Sequence, residues 1–286
     1  MTLEKINSSF PEELCFITRM TKITSLRVVS YLAPNWLGLY QAIATYLGRI
    51  LEIEIQLNPG ECDPLKDPLL FQDQIDLAFI CGLPLIRYSQ MVAHQLQPLV
   101  APVMQSPRYG NSPIYYADVI VKADSNIKNL ADLSGKTFCY NDSGSNSGYH
   151  LLFHWLRQEK YPPNFFGKTI ASGFHQRSIR WVVEGLADCA AIDSVVLEQE
   201  LRDFPELSQD LRVVEMIGPS PMPPLVVAQR LGIPLIQQIE LALLQPDAEL
   251  QSVMKQFGVR RFAPVKLDNY RVLNQIDSQA FVNFPA

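Results

Sequence analysis

Residues 141–150, NDSGSNSGYH, place Ser145, Asn146, Ser147 and Gly148 directly ahead of an apolar run, LLFHWLRQEK, that reads as a helix. The first turn of a helix leaves backbone N–H groups without partners, and these carry a partial positive charge. A small anion can be held there without Lys or Arg. Ser and Asn side chains add donors, and Gly148 lets a ligand approach the backbone closely. The same residues are also the best helix caps, so an ordinary capped helix reads equally from this stretch. Further along, ASGFHQRSIRWVVEGLADCAAIDS (171–194) sets His175 at a helix start and Asp193 at the carboxyl edge of a strand. His175 could give a short, charge-assisted hydrogen bond to an oxyanion, or simply cap its helix. Tyr115 and Tyr116 stand where a second run of strands begins.

Other chemistries lack their residues. GSNSG has Asn146 where a hydrolase elbow requires Ser, so no nucleophile follows. His150 and His154 share a helix face at i, i+4, but the zincin glutamate and a third ligand are absent; packing is expected there, with no metal and no cofactor. No Walker A or G-x-G-x-x-G sequence occurs. The 286 residues carry a net charge of −5, which offers no basic field for nucleic acid, and no run approaches a membrane span. The five cysteines are widely spaced and form no CxxC, as expected of a reducing compartment. The first 22 residues show no secretory pattern, so on the sequence as given a cytoplasmic location is expected; an export signal ahead of it would make it periplasmic.

The elements that must position these residues alternate. Strand and helix patterns follow one another from residue 26 to the strand LQPLVAPVM, and again from YYADVIVK to LRVVEMIG, with Pro-rich crossings at 105–113 and 218–224. That order implies parallel sheets covered by helices, in two α/β lobes facing a cleft. The expected division is a loose arm at 1–21, a first lobe of 22–108 plus 219–286, and a second lobe of 109–218. Two helices and an irregular tail are expected at the end.

Five stretches, taken in order, resemble the phosphate/phosphite/phosphonate-type solute-binding proteins of ABC transporters. They are Tyr116-Ala-Asp, NLADLSGK, Ser145-Asn146-Ser147-Gly148, Gly173-Phe174-His175 and Gly185-Leu-Ala-Asp188-Cys-Ala-Ala. The resemblance covers roughly residues 26 to 260. Asn146 replaces the family's usual Thr, and Ala117 replaces a Ser. It implies a type II periplasmic-binding-protein-like fold, with mostly parallel sheets and two crossing segments. It further implies a non-enzymatic, monomeric protein that closes by a hinge on a phosphonate, phosphate or phosphite. Tyr115, Tyr116, Ser145, Asn146, Ser147, Gly148, His175 and Asp193 would form its site, with an ABC permease as partner if it is exported. Asp193 is the acidic residue placed to meet an ammonium group on the ligand. The competing readings are a cytosolic enzyme on the same scaffold, like those of the futalosine route to menaquinone, and a cytosolic ligand sensor.

Overall fold

The computed structural model describes residues 23–60 and 63–276; the expected arm at 1–21, Cys15 and Cys62 lie outside the described residues. The chain opens with β1 (Ser25–Ser30), α1 (Leu37–Leu51), β2 (Glu54–Pro59), α2 (Pro68–Phe71), β3 (Leu77–Phe79), α3 (Gly82–Met91) and β4 (Leu96–Met104). It crosses over and builds β5 (Ile114–Lys122), β6 (Thr137–Tyr140), α4 (Leu151–Gln158), β7 (Lys168–Ala171), α5 (His175–Val183), β8 (Cys189–Asp193), α6 (Ser194–Asp203), α7 (Leu207–Asp210) and β9 (Leu211–Pro221). It then returns through β10 (Leu225–Ala228), α8 (Ile233–Leu244), α9 (Ala248–Gln256) and β11 (Val259–Pro264).

Two sheets result, in the orders β11-β4-β10-β3-β1-β2 and β7-β6-β8-β5-β9. Sequential β-α-β units supply the parallel pairs β1/β2, β1/β3, β6/β7 and β6/β8. The crossing segments mix the sheets. Strand β10 slots antiparallel between β3 and β4, and β5 pairs antiparallel with both β8 and β9. The tail expected to be irregular instead forms β11, an edge strand antiparallel to β4, followed by a 3-10 helix at Leu267–Gln275. Its sequence, VRRFAP, alternates poorly because Val259, Phe262 and Ala263 are buried while both arginines are exposed.

Helices cover the sheets by one-sided burial. On α1, Leu39, Tyr40, Ile43, Ala44, Tyr46 and Leu47 are buried, and Glu52 ends the helix in a left-handed conformation. Central strands are buried throughout: every residue of β3, β8 and β10 is buried, and all but Asp193 at the end of β8 are apolar, as covered α/β strands require. Where β3 and β8 end, Cys81 and Asp193 begin α3 and α6. Those strand ends open on one cleft, as the open-sheet rule anticipates, and Ser145, Ser147, His175 and Asp193 are among the residues that line it.

Candidate functional site

The cleft between the lobes encloses about 780 Å³. Its second-lobe wall is the Asn141–Ser145 loop, Ser147, the Gly173–Gln176 turn and Asp193. Here the β6–α4 connection closes on itself. Asp142 accepts from the Gly144 N–H at 2.8 Å, and Ser145 Oγ accepts from the Gly148 N–H at 3.1 Å. The chain then makes a π-helical turn over Asn146–His150 before α4 begins at Leu151. Capping thus uses one first-turn donor and leaves Ser147's side chain aimed into the cleft.

Ser147 Oγ lies 3.3 Å from His175 Nε2, and the two side chains are buried together at the cleft wall. His175 Nδ1 is buried with no hydrogen-bond partner. Burial pushes the His175 pKa down to about 4, so the ring is neutral at pH 7. A neutral imidazole donates from one nitrogen only, so in a charge-assisted bond from His175 to an oxyanion the charge is the anion's. Gly148 is what permits this packing. A Cβ there would collide with the Asn141 side-chain oxygen and stand 3.0 Å from His175 Cε1.

Asp193 caps α6, accepting from the Val195 N–H at 2.9 Å. Burial pushes its carboxyl up to about 7, against the pull of backbone bonds from Val195 and Val196. Asn146, Tyr115, Tyr116 and Gly148 are not among the cleft-lining residues. Asn146 donates to the Tyr115 hydroxyl at 2.7 Å and to Ser220 Oγ at 3.0 Å, which pins the start of the helix to β5 and β9. The Tyr116 hydroxyl donates to the Arg108 carbonyl, and the Arg108 guanidinium sits over its ring at 5.3 Å. Arg108 in turn grips the fully buried Asp118 with two hydrogen bonds, so Tyr116 braces the first crossing. Among the described residues no cluster of His, Cys, Asp and Glu could hold a metal ion. His154 pairs with Arg157, and His150 is buried behind the turn.

The sequence reading proposed no ligand contact from the first lobe, yet that lobe forms half the cleft. Ser30, Tyr31 and Cys81 line it at the ends of β1 and β3, alongside Trp36, just ahead of α1, and Tyr40 in its first turn. The carboxyl-end rule applied to SYLAP and FICG points to Ser30, Tyr31 and Cys81. Cross-lobe hydrogen bonds join the walls: Asn35 Nδ2 donates to the Val196 carbonyl and to Glu200 Oε1, both at 3.1 Å, and Trp36 Nε1 donates to the Val195 carbonyl at 3.3 Å. At the mouth the electrostatics are acidic. Burial raises the Asp142 pKa, and Asp63 across the cleft raises it further. Lys66 is the exposed cation beside them.

Two mixed α/β sheets, two crossings and a site at the strand ends define a type II periplasmic-binding-protein-like fold. The family model described as "ABC transporter, phosphonate, periplasmic substrate-binding protein" matches residues 28–270, and the chain belongs to that family, whose members bind substrates for transporters and are not enzymes. A relative from Prochlorococcus marinus (strain MIT 9301), a probable ABC transporter phosphite binding protein, PhnD1, is 26% identical over 162 residues, 53% of this chain and 54% of its own. The chain thus spans about half the length of the curated relative it matches. The solved structure of PhnD1 in complex with methylphosphonate superposes with a TM-score of 0.76 at 17% identity, covering 88% of this chain and 97% of that one. A binding protein component of an ABC phosphonate transporter from Pseudomonas aeruginosa gives the same TM-score, 0.76, at 17% identity over 92% and 91% of the two chains. At such identities the structural likeness is one of fold.

Proposed function

We propose that this protein captures a phosphonate-class oxyanion in the interlobe cleft and presents it to an ABC permease on the periplasmic side, where its family works. The observation that carries this reading is the buried Ser147–His175 pair, 3.3 Å apart, where the turn ahead of α4 meets the start of α5 on the cleft. Ser145, Ser147 and the neutral His175 offer short, directional donors to a tetrahedral anion, and the helix start supplies the favourable field. Asp193, held near neutrality by burial, can stay protonated and donate to an oxygen, or ionise against an ammonium-bearing ligand. The anion enters past acidic residues, so binding rests on local donors rather than on net charge. Closure would run through the two crossings, with the Asn35 and Trp36 cross-lobe bonds latching the lobes together.

The experiment is a thermal-shift and calorimetric series with methylphosphonate, phosphite, phosphate and sulfate. A ligand that binds should stabilise the fold by about 2.7 kcal/mol at a hundredfold excess over Kd. Ser147→Ala and His175→Ala should each weaken methylphosphonate binding about tenfold, near 1.4 kcal/mol, without unfolding the protein. Unchanged affinity in both variants would remove the site assignment.

A further inference from the structure

The donors assigned to the anion, Ser145, Ser147 and the neutral His175, carry no charge, and Asp63 and Asp142 make the mouth acidic. One cation stands behind them. Arg87 is half-buried on α3, the helix whose N-cap Cys81 and first-turn Pro84 line the cleft. Pro84 and Arg87 are three residues apart and so share a helix face. Burial, and then the Arg87 charge, push the His150 pKa down to about 4, and His150 belongs to the turn that carries Ser147. Arg87 Nη2 is shielded from solvent with no hydrogen-bond partner, and among the described residues the guanidinium has no ion pair. Asp63 acts on it from a distance but is engaged elsewhere, accepting from the Leu65 N–H at 3.0 Å with Lys66 Nζ 3.9 Å away. Burial lowers the Arg87 pKa despite that carboxylate. Arg108 and Arg180, which are also half-buried, pair with Asp118 and Glu200. An unpaired charge at such depth destabilises the fold unless something else compensates it.

We infer that Arg87 is a positioning residue for anion capture, whose uncancelled charge behind the Ser147 turn favours a negative guest without touching it. This rests on the oxyanion reading of the same cleft and adds the cation that the donors lack. A carboxylate paired with Arg87 would cancel the field at the turn. Left unpaired, the guanidinium is compensated by the guest itself. Coulomb attraction scales with the guest's charge, so a phosphonate dianion gains about twice what the monoanion gains.

Calorimetric titration of Arg87→Met and Arg87→Lys with methylphosphonate tests the inference at pH 6 and pH 9, where the probe is mainly monoanion and mainly dianion. Arg87→Met should bind about fivefold more weakly than the parent at pH 9 and about twofold more weakly at pH 6. Arg87→Lys keeps the charge and should stay within about twofold of the parent at both values. Without ligand, Arg87→Met should melt no lower than the parent, because the charge it removes was unpaired. Its His150 pKa, followed by NMR of the ring, should rise above about 4 as the neighbouring charge disappears. A residue that served only packing would lower the melting temperature and leave the pH profile of binding unmoved. Unchanged affinity in Arg87→Met, or an equal loss in Arg87→Lys, would overturn the inference and leave oxyanion capture intact. Failure of the unaltered protein to bind methylphosphonate, phosphite or phosphate would overturn both.

Discussion

At the scale of single residues, burial sets the protonation of the site in opposite senses. Asp193 titrates near 7 in the folded protein, against an ordinary value of 3.8, because desolvation outweighs its backbone bonds. Between those values the folded state holds a proton that the unfolded chain has released, so its contribution to stability falls as pH rises and is fully lost above about 7. Asp193→Asn keeps the cap acceptor and carries no charge. The variant should therefore be more stable than the parent at pH 8 and nearly equal to it at pH 4, as read by urea unfolding at both values. His175 behaves conversely. Its folded pKa of about 4 lies below the ordinary 6.5, so the stability tied to its neutral ring is present above pH 6.5 and fades as pH falls towards 4. In His175→Gln the melting temperature should drop less than in the parent between pH 7 and pH 4.5, as followed by circular dichroism.

At the scale of elements, the β6–α4 connection both caps its helix and lines the cleft. Ser145 satisfies the Gly148 N–H, and Asn146 ties the π-helical turn to Tyr115 and Ser220. Replacing Ser145 with Ala should cost about 1 kcal/mol of stability, the usual worth of an N-cap, measurable by denaturant unfolding. Gly148→Ala should do more than that, because its Cβ would displace Asn141 and press on His175. Its expected signature is lost methylphosphonate binding with the circular dichroism spectrum retained. SNSG reads from the sequence as a cap or as an anion site, and in the structure its residues make different contacts. Ser145 caps, Asn146 anchors and Ser147 faces the cleft. Nothing in the local sequence could divide those roles, because they depend on which way a π-turn rotates each side chain.

At the scale of the whole molecule, the lobes meet through few polar contacts. Asn35 and Trp36 donate across the cleft to α6 and the residues around it, and Arg180 pairs with Glu200 within the second lobe. If these cross-lobe bonds stabilise the closed arrangement, Asn35→Ala should weaken ligand binding about fivefold, the worth of one net hydrogen bond. Small-angle scattering should then show a smaller ligand-induced fall in radius of gyration than in the parent.

The alternation of apolar strands and amphipathic helices, the Pro-rich crossings at 105–113 and 218–224 and the SNSG and GFH turns were readable residue by residue, since each is a local pattern with a local cause. The two-lobed α/β architecture followed from them. Only the folded chain decided that β10 and β11 run antiparallel into the first sheet, because pairing partners are separated by more than 100 residues and a strand's neighbour is a tertiary fact. The same holds for the cleft: Ser147 meets His175 across 28 residues, because the turns that carry them stand side by side only once β6 and β7 have paired in the second sheet.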